Sequence, residues 1–252
     1  MPTAVEFMNE YRNLRVNVAI DDPATGTCRP GTVVVQLRKY FMMDWHAGTT
    51  ELTEFNAVTG GKHDAWYKAN KERIMTAAMG KGAPCDYALA LEWAVRSGRI
   101  PVVNQQTVQK YCDDNMGIDC SGFVTNYLCA AGKKTYSANT VRNTSAESYY
   151  NAGKHINDPA QVKAGDVLVL MNGNSVKANP GHVVVVHSYT PQSVAGGNMR
   201  VVESTAASGA NPKLIDSMYS VEKIIPKGGA VPVMILVVRR FGGTAHFSVV
   251  RL

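Results

Sequence analysis

The stretch Gly-Ile-Asp-Cys-Ser-Gly-Phe, Gly117 to Phe123, sets a cysteine where an apolar helical pattern begins. A thiol attacks only as thiolate, and a free cysteine titrates at about 8.5. In the first turn of a helix, unpaired backbone N–H groups and the positive end of the dipole favour the anion. Cys120 is so placed, and Gly122 lets a second chain or a substrate approach closely. The same residues allow another reading, in which Asp119 or Ser121 caps the helix and Cys120 packs inward.

A nucleophile needs a base. The histidines are His46, His63, His155, His182, His187 and His246. His182 follows Pro180-Gly181 and heads the run His-Val-Val-Val-Val. Residues two apart on a strand share a face, so His182 goes with Val184 and Val186, and His187 falls on the other face. From that position His182 can reach a helix N-terminus; its alternative is an ordinary edge histidine. A third group usually fixes the imidazole by accepting its second N–H. The next strand, Met-Arg-Val-Val-Glu-Ser-Thr, carries Glu203 in an apolar stretch. A carboxylate buried there needs a partner, unless Glu203 is a solvent-facing residue at the strand's end.

Other chemistries lack their residues. There is no G-x-S-x-G for a serine hydrolase and no H-E-x-x-H for a zinc peptidase, and neither TGGKHD nor MGKGA has P-loop spacing. The five cysteines, Cys28, Cys85, Cys112, Cys120 and Cys129, include no C-x-x-C pair, so neither metal nor cofactor is expected. Their odd number, without a leader, speaks against a disulfide framework. Cys129, in an apolar helical context, reads as inert core. A formal net charge of +6, spread along the chain, favours an anionic partner such as a cell-wall polymer. Without a run of five basic residues, nucleic acid is not expected as a partner.

The elements that must position these residues follow from periodicity and punctuation. Hydrophobic content of 45% and charged content of 18% in 252 residues indicate a globular chain with a sizeable core. RVNVAI and TVVVQLRKYFMM read as strands around a turn-rich segment, a candidate hairpin. HDAWYKANKERIMTAAMG reads as a helix with Asp64 as its cap and Gly80 as its stop. CDYALALEWAVRSG is a helix with the stripe Tyr87, Leu91 and Val95, closed by Gly98. SGFVTNYLCAAG is a helix ending at Gly132, and SAESYYNAG a short one. DVLVLM, HVVVVHSY, MRVVEST, YSVEKII and VMILVVRRF follow as strands. Helices first and strands later indicate an α+β fold, with the nucleophile helix on an antiparallel sheet or open barrel. The most apolar run, Ala230 to Val238, is too short to span a bilayer, so no transmembrane segment is expected. The first twenty residues lack a leader's basic and apolar regions, so we expect a cytoplasmic protein or leaderless export.

Taken in order, Asp-Cys-Ser-Gly, then Gly165-Asp166 before a strand, then Gly-His-Val, then Glu203 one strand on, resemble the NlpC/P60 family of papain-like cysteine peptidases. The resemblance runs from about Tyr111 to Val238. It implies a catalytic domain over residues 81–252, preceded by an N-terminal extension of unknown role over residues 1–80. It implies that Cys120 attacks an amide carbonyl, that His182 is the base and that Glu203 orients it, where the family commonly has His, Asn or Gln. It implies an oxyanion site at the Cys120 N–H, helped by Tyr111 in KYCDDNMGIDC, although the family's Trp-Gly-Gly stretch is absent. By the same resemblance Asp119 and Ser121 contact a free substrate amine, and the substrate is a peptidoglycan stem peptide cut at a γ-D-glutamyl bond. Two rivals stand beside this reading. One is a secreted effector or toxin of the same fold, exported to the cell envelope and acting as acyltransferase, deamidase or transglutaminase on a protein target, for which an immunity or inhibitor protein is the expected partner. The other is a non-catalytic cell-wall binding module.

Overall fold

The computed structural model describes the chain except residues 23–26, 42–64, 179–180, 194–195 and 209. Asp64, expected to cap a helix, lies outside the described residues, as do His46 and His63. The helices are α1 (Ala4–Tyr11), α2 (Ala65–Ala78), α3 (Pro84–Arg96), α4 (Gln105–Asn115), α5 (Cys120–Ala130), α6 (Ala138–Asn143) and α7 (Ala146–Ala152). α3 and α5 stop at the expected glycines, Gly98 and Gly132, whose φ values of 76° and 66° suit a residue without Cβ. α1 and α4 were not anticipated from the sequence. Each starts behind a capping residue: Thr3, which forms a reciprocal capping box with Glu6, and Asn104, which accepts from the Gln106 and Thr107 N–H groups.

β1 (Leu14–Asp22) and β2 (Thr27–Val35) form the expected antiparallel hairpin, in the register Leu14 opposite Val35. Glutamine amides from α4 line the edge of β2. The Val34 N–H donates to Gln105 Oε1 at 3.0 Å and the Gln36 N–H to Gln109 Oε1 at 2.8 Å. Each amide N–H returns a bond to the carbonyl of the same residue, so two side chains at i and i+4 stand in for a neighbouring strand. The chain then forms β3 (Lys39–Tyr40), which pairs in parallel with β4 (Gly117–Ile118), immediately before Asp119.

The remaining strands are β5 (Lys154–His155), β6 (Val167–Asn172), β7 (Ser175–Val176), β8 (Val183–Ser193), β9 (Gly196–Ser204), β10 (Leu214–Ile225), β11 (Ile235–Arg240) and β12 (Gly243–Arg251). Six of them run β6-β8-β9-β10-β11-β12, every neighbouring pair antiparallel, and β12 pairs back onto β6. The architecture is α+β, and the sheet is a closed barrel rather than an open one. The strand that closes it, β12, was also not anticipated. Its sequence, GTAHFSVVR, has one polar face, and its pairing with β6 links residues some eighty positions apart, which local periodicity cannot register. Arg251 secures the closure, holding both Asp166 carboxylate oxygens at 2.7 and 2.8 Å.

Strand alternation divides the apolar residues into two cores. Leu168, Val184, Val186, Met199, Val201, Tyr219 and Phe247 fill the barrel. Val167, Val169, Val183, Val185, Val202 and Val250 face outward and meet the helical layer, including Phe123 and Val124 of α5. The described part of residues 1–80 enters the second core. Phe7 packs on Phe123 at 5.9 Å and on Tyr127 at 6.1 Å. Tyr11 packs on Phe123 at 6.0 Å and donates to the Gly82 carbonyl at 3.0 Å. α5 is therefore enclosed by α1 on one side and the barrel on another.

Candidate active site

Asp119 is the N-cap of α5, and its Oδ1 accepts from the Gly122 N–H at 2.5 Å. Cys120 is thus the first residue of the helix, where its own N–H has no partner within the helix. The first nine residues of α5 are all buried, so the helix cannot shift without disturbing the core. Gly122 faces the backbone of the chain before α3, where a Cβ would lie 2.6 Å from the Gly80 carbonyl oxygen. Cys120 itself is 5% exposed.

His182 directly precedes β8, its carbonyl tied to the Leu170 N–H at 2.9 Å. β9 lies antiparallel beside β8, with Val185 opposite Val202, and this brings Glu203 alongside the start of β8. His182 Nε2 is 2.8 Å from Glu203 Oε2. The Cys120 side chain also hydrogen-bonds the imidazole. Burial works against the imidazolium, but the hydrogen bonds and charges of Cys120 and Glu203 outweigh it, and the ring is pushed up to about 9. Burial likewise opposes the Glu203 charge; His182, Arg240 and Tyr219 reverse that and hold the carboxyl below its usual range. Glu203 is fully buried, inside the barrel, and is not the solvent-facing residue that its position before Ser204 and Thr205 allowed. Ser204 points the other way and donates to the Ile118 carbonyl at 2.6 Å.

The structure therefore brings Cys120, His182 and Glu203 together. His187 falls elsewhere, beside a surface cavity with Met1, Thr3 and Lys133. Among the other described cysteines, burial pushes Cys112 up to about 12 and raises Cys85 and Cys129. Cys129, expected in the core, is half-buried.

Three placements differ from the sequence expectation. Tyr111 is half-buried on α4, and the phenol against the sulfur is that of Tyr40, whose hydroxyl lies 4.0 Å from Cys120 Sγ. Burial and the neighbouring Cys120 and Asp119 raise the Tyr40 pKa, so it stays a neutral donor. Asp119 and Ser121 do not face open space. The Lys81 ammonium sits 2.7 Å from Asp119 Oδ2 and 2.5 Å from Ser121 Oγ, and donates to the Thr144 carbonyl at 3.1 Å. Asn126 of α5 holds the Lys81 carbonyl at 2.8 Å. Lys81 carried no sequence signal: it is one lysine between two glycines, and its buried position is visible only once α5 packs against it.

Among the described residues, no group of three His, Cys, Asp or Glu is placed to hold a metal ion, and no helix is long and apolar enough to cross a membrane. No family model, curated protein or solved structure matches the chain.

Proposed function

We propose that the chain is a cysteine amidase of the NlpC/P60 type, with the papain-like plan of a nucleophile helix set against a barrel that carries the base. The observation that carries this reading is the linear set of Cys120 at a helix start, His182, and Glu203 accepting from the far side of the imidazole. The helix N-terminus and the imidazolium both stabilise negative charge on Sγ. The sulfur adds to the amide carbonyl carbon, and the oxyanion takes hydrogen bonds from the Cys120 N–H and the Tyr40 hydroxyl. His182 protonates the departing amine as the C–N bond breaks and leaves a thioester. It then takes a proton from water, whose attack releases the acid and restores the thiol. By the family resemblance, the substrate is a peptidoglycan stem peptide with a γ-D-glutamyl bond.

One observation favours a second reading, acyl transfer or deamidation on a protein side chain. Asp119 and Ser121, the pair that would receive a free substrate amine, already hold the Lys81 ammonium. Incubation with purified peptidoglycan and mass analysis of released fragments separates the two. γ-D-Glutamyl cleavage, abolished in Cys120→Ala, supports the first. Ammonia released from glutamine-rich protein, with no wall fragments, supports the second. If neither occurs and iodoacetamide labels Cys120 no faster than Cys112, both readings fail.

A further inference from the structure

Glu203 is fully buried, and a buried carboxylate whose only cation were His182 would hold that imidazole protonated and reluctant to give up its proton. The structure supplies a second cation. Arg240, the last residue of β11, donates to the same oxygen that meets His182, Glu203 Oε2, at 3.0 Å. It also donates to the Tyr219 hydroxyl at 2.7 Å, and that hydroxyl donates to Glu203 Oε1 at 2.8 Å. Both carboxylate oxygens are thus engaged from inside the barrel, by β10 and β11 as well as by His182.

Arg240 is itself held among aromatic rings, with its guanidinium carbon 5.5 Å from the Phe247 centroid, 5.6 Å from Tyr219 and 5.7 Å from Phe241. Phe241 has φ 44°, and Gly242 after it has φ 78°. Two consecutive positive φ values make the tight turn from β11 to β12, and a phenylalanine is a costly residue there. Its ring covers the guanidinium, which gives that cost a local return.

We propose that Arg240, supported by Tyr219, is a positioning residue that fixes Glu203 on His182 and offsets the carboxylate's charge. The imidazole then has an aligned acceptor without facing an uncompensated anion. The inference rests on reading Cys120 and His182 as a catalytic pair. The groups that face His182 are Cys120 from α5 and Glu203 from β9. Behind them stand Tyr219 from β10, Arg240 from β11, Tyr40 from β3, and the Asp119–Lys81 pair.

The test is the titration of His182, followed by NMR of the histidine-labelled full chain and assigned with His182→Gln. Arg240→Gln removes a positive charge near the imidazole, so the titration moves up by at least about one pH unit, the usual size for a close charge. Arg240→Lys keeps the charge and stays near wild type. Glu203→Gln moves it down, because an unopposed Arg240 then faces the ring. Glu203→Gln/Arg240→Gln moves it back up from the Glu203→Gln value. An unmoved titration in Arg240→Gln, or equal shifts in Arg240→Gln and Arg240→Lys, overturns the proposal. If Arg240→Gln is recovered unfolded, Glu203→Gln against the double variant decides, and equal titrations there overturn it. The titration needs no substrate. A chain that cleaves no amide but shows these shifts refutes the amidase reading alone, and an active chain without them refutes the Arg240 role alone.

Discussion

Replacing Lys81 with methionine removes one charge from beside the start of α5 and keeps most of the aliphatic stem. The Lys81 and Asp119 side chains are 7% and 8% exposed and 2.7 Å apart, so neither charge is solvated. Removing one partner of such a pair costs about 3 to 5 kcal/mol, because the other is left buried and uncompensated. With a urea slope of about 3 kcal/mol per M, the unfolding midpoint falls by about 1 to 1.7 M. The loss depends on pH. Burial already raises the Asp119 carboxyl, and loss of Lys81 raises it further. A carboxyl raised in the folded state binds its proton there first, so the penalty is small below the unfolded value of about 3.9 and grows as pH rises through the folded value. The midpoint deficit is therefore larger at pH 8 than at pH 4.5. Lys81→Met/Asp119→Asn recovers most of it, since asparagine still caps α5 and no charge is stranded. Urea unfolding followed by circular dichroism at both pH values makes the measurement. A Lys81→Met midpoint equal to wild type at both, or a double variant no better than the single, refutes the reasoning.

His182→Ala lowers kcat/KM by at least about a hundredfold, and His187→Ala leaves it nearly unchanged; the reverse pattern would put the base on the other face of β8. In the wild type the alkaline limb of kcat/KM against pH, where the imidazolium is lost, falls near pH 9. Tyr40→Phe removes the hydroxyl against Sγ and lowers kcat by about a hundredfold, the size of losing one oxyanion donor, with KM little changed. A kcat equal to wild type would leave the oxyanion to the backbone alone. Gly122→Ala places a methyl 2.6 Å from the Gly80 carbonyl and 3.0 Å from Lys81 Cα, backbone atoms that no rotamer change can move. It costs about 1 to 3 kcal/mol of stability and slows alkylation of Cys120; a variant with the wild-type midpoint would show that the chain before α3 yields freely.

The features legible in the sequence are those written by neighbours along the chain. Asp119 followed by an apolar helical run marks where α5 begins, which places Cys120 in its first turn. Alternation after His182 separates it from His187, and the residues named as strands after Gly165 all lie on or beside strands of the barrel. What tertiary structure alone decided depends on chain segments far apart. Tyr40 reaches the sulfur through a two-residue parallel pairing of β3 with β4, across nearly eighty residues, too short to leave a periodic signal. β12 closes the barrel because β6 offers a free edge, not because of its own pattern. Glu203 taken alone reads as a solvent-facing residue at a strand end, and the structure buries it. Its burial is sustained by Tyr219 and Arg240, which come from two later strands, and a sequence does not show which cation a carboxylate will meet. Lys81 follows the same rule. Local periodicity fixes which face a residue is on, but the partners that make a buried charge tolerable are supplied only when distant elements pack.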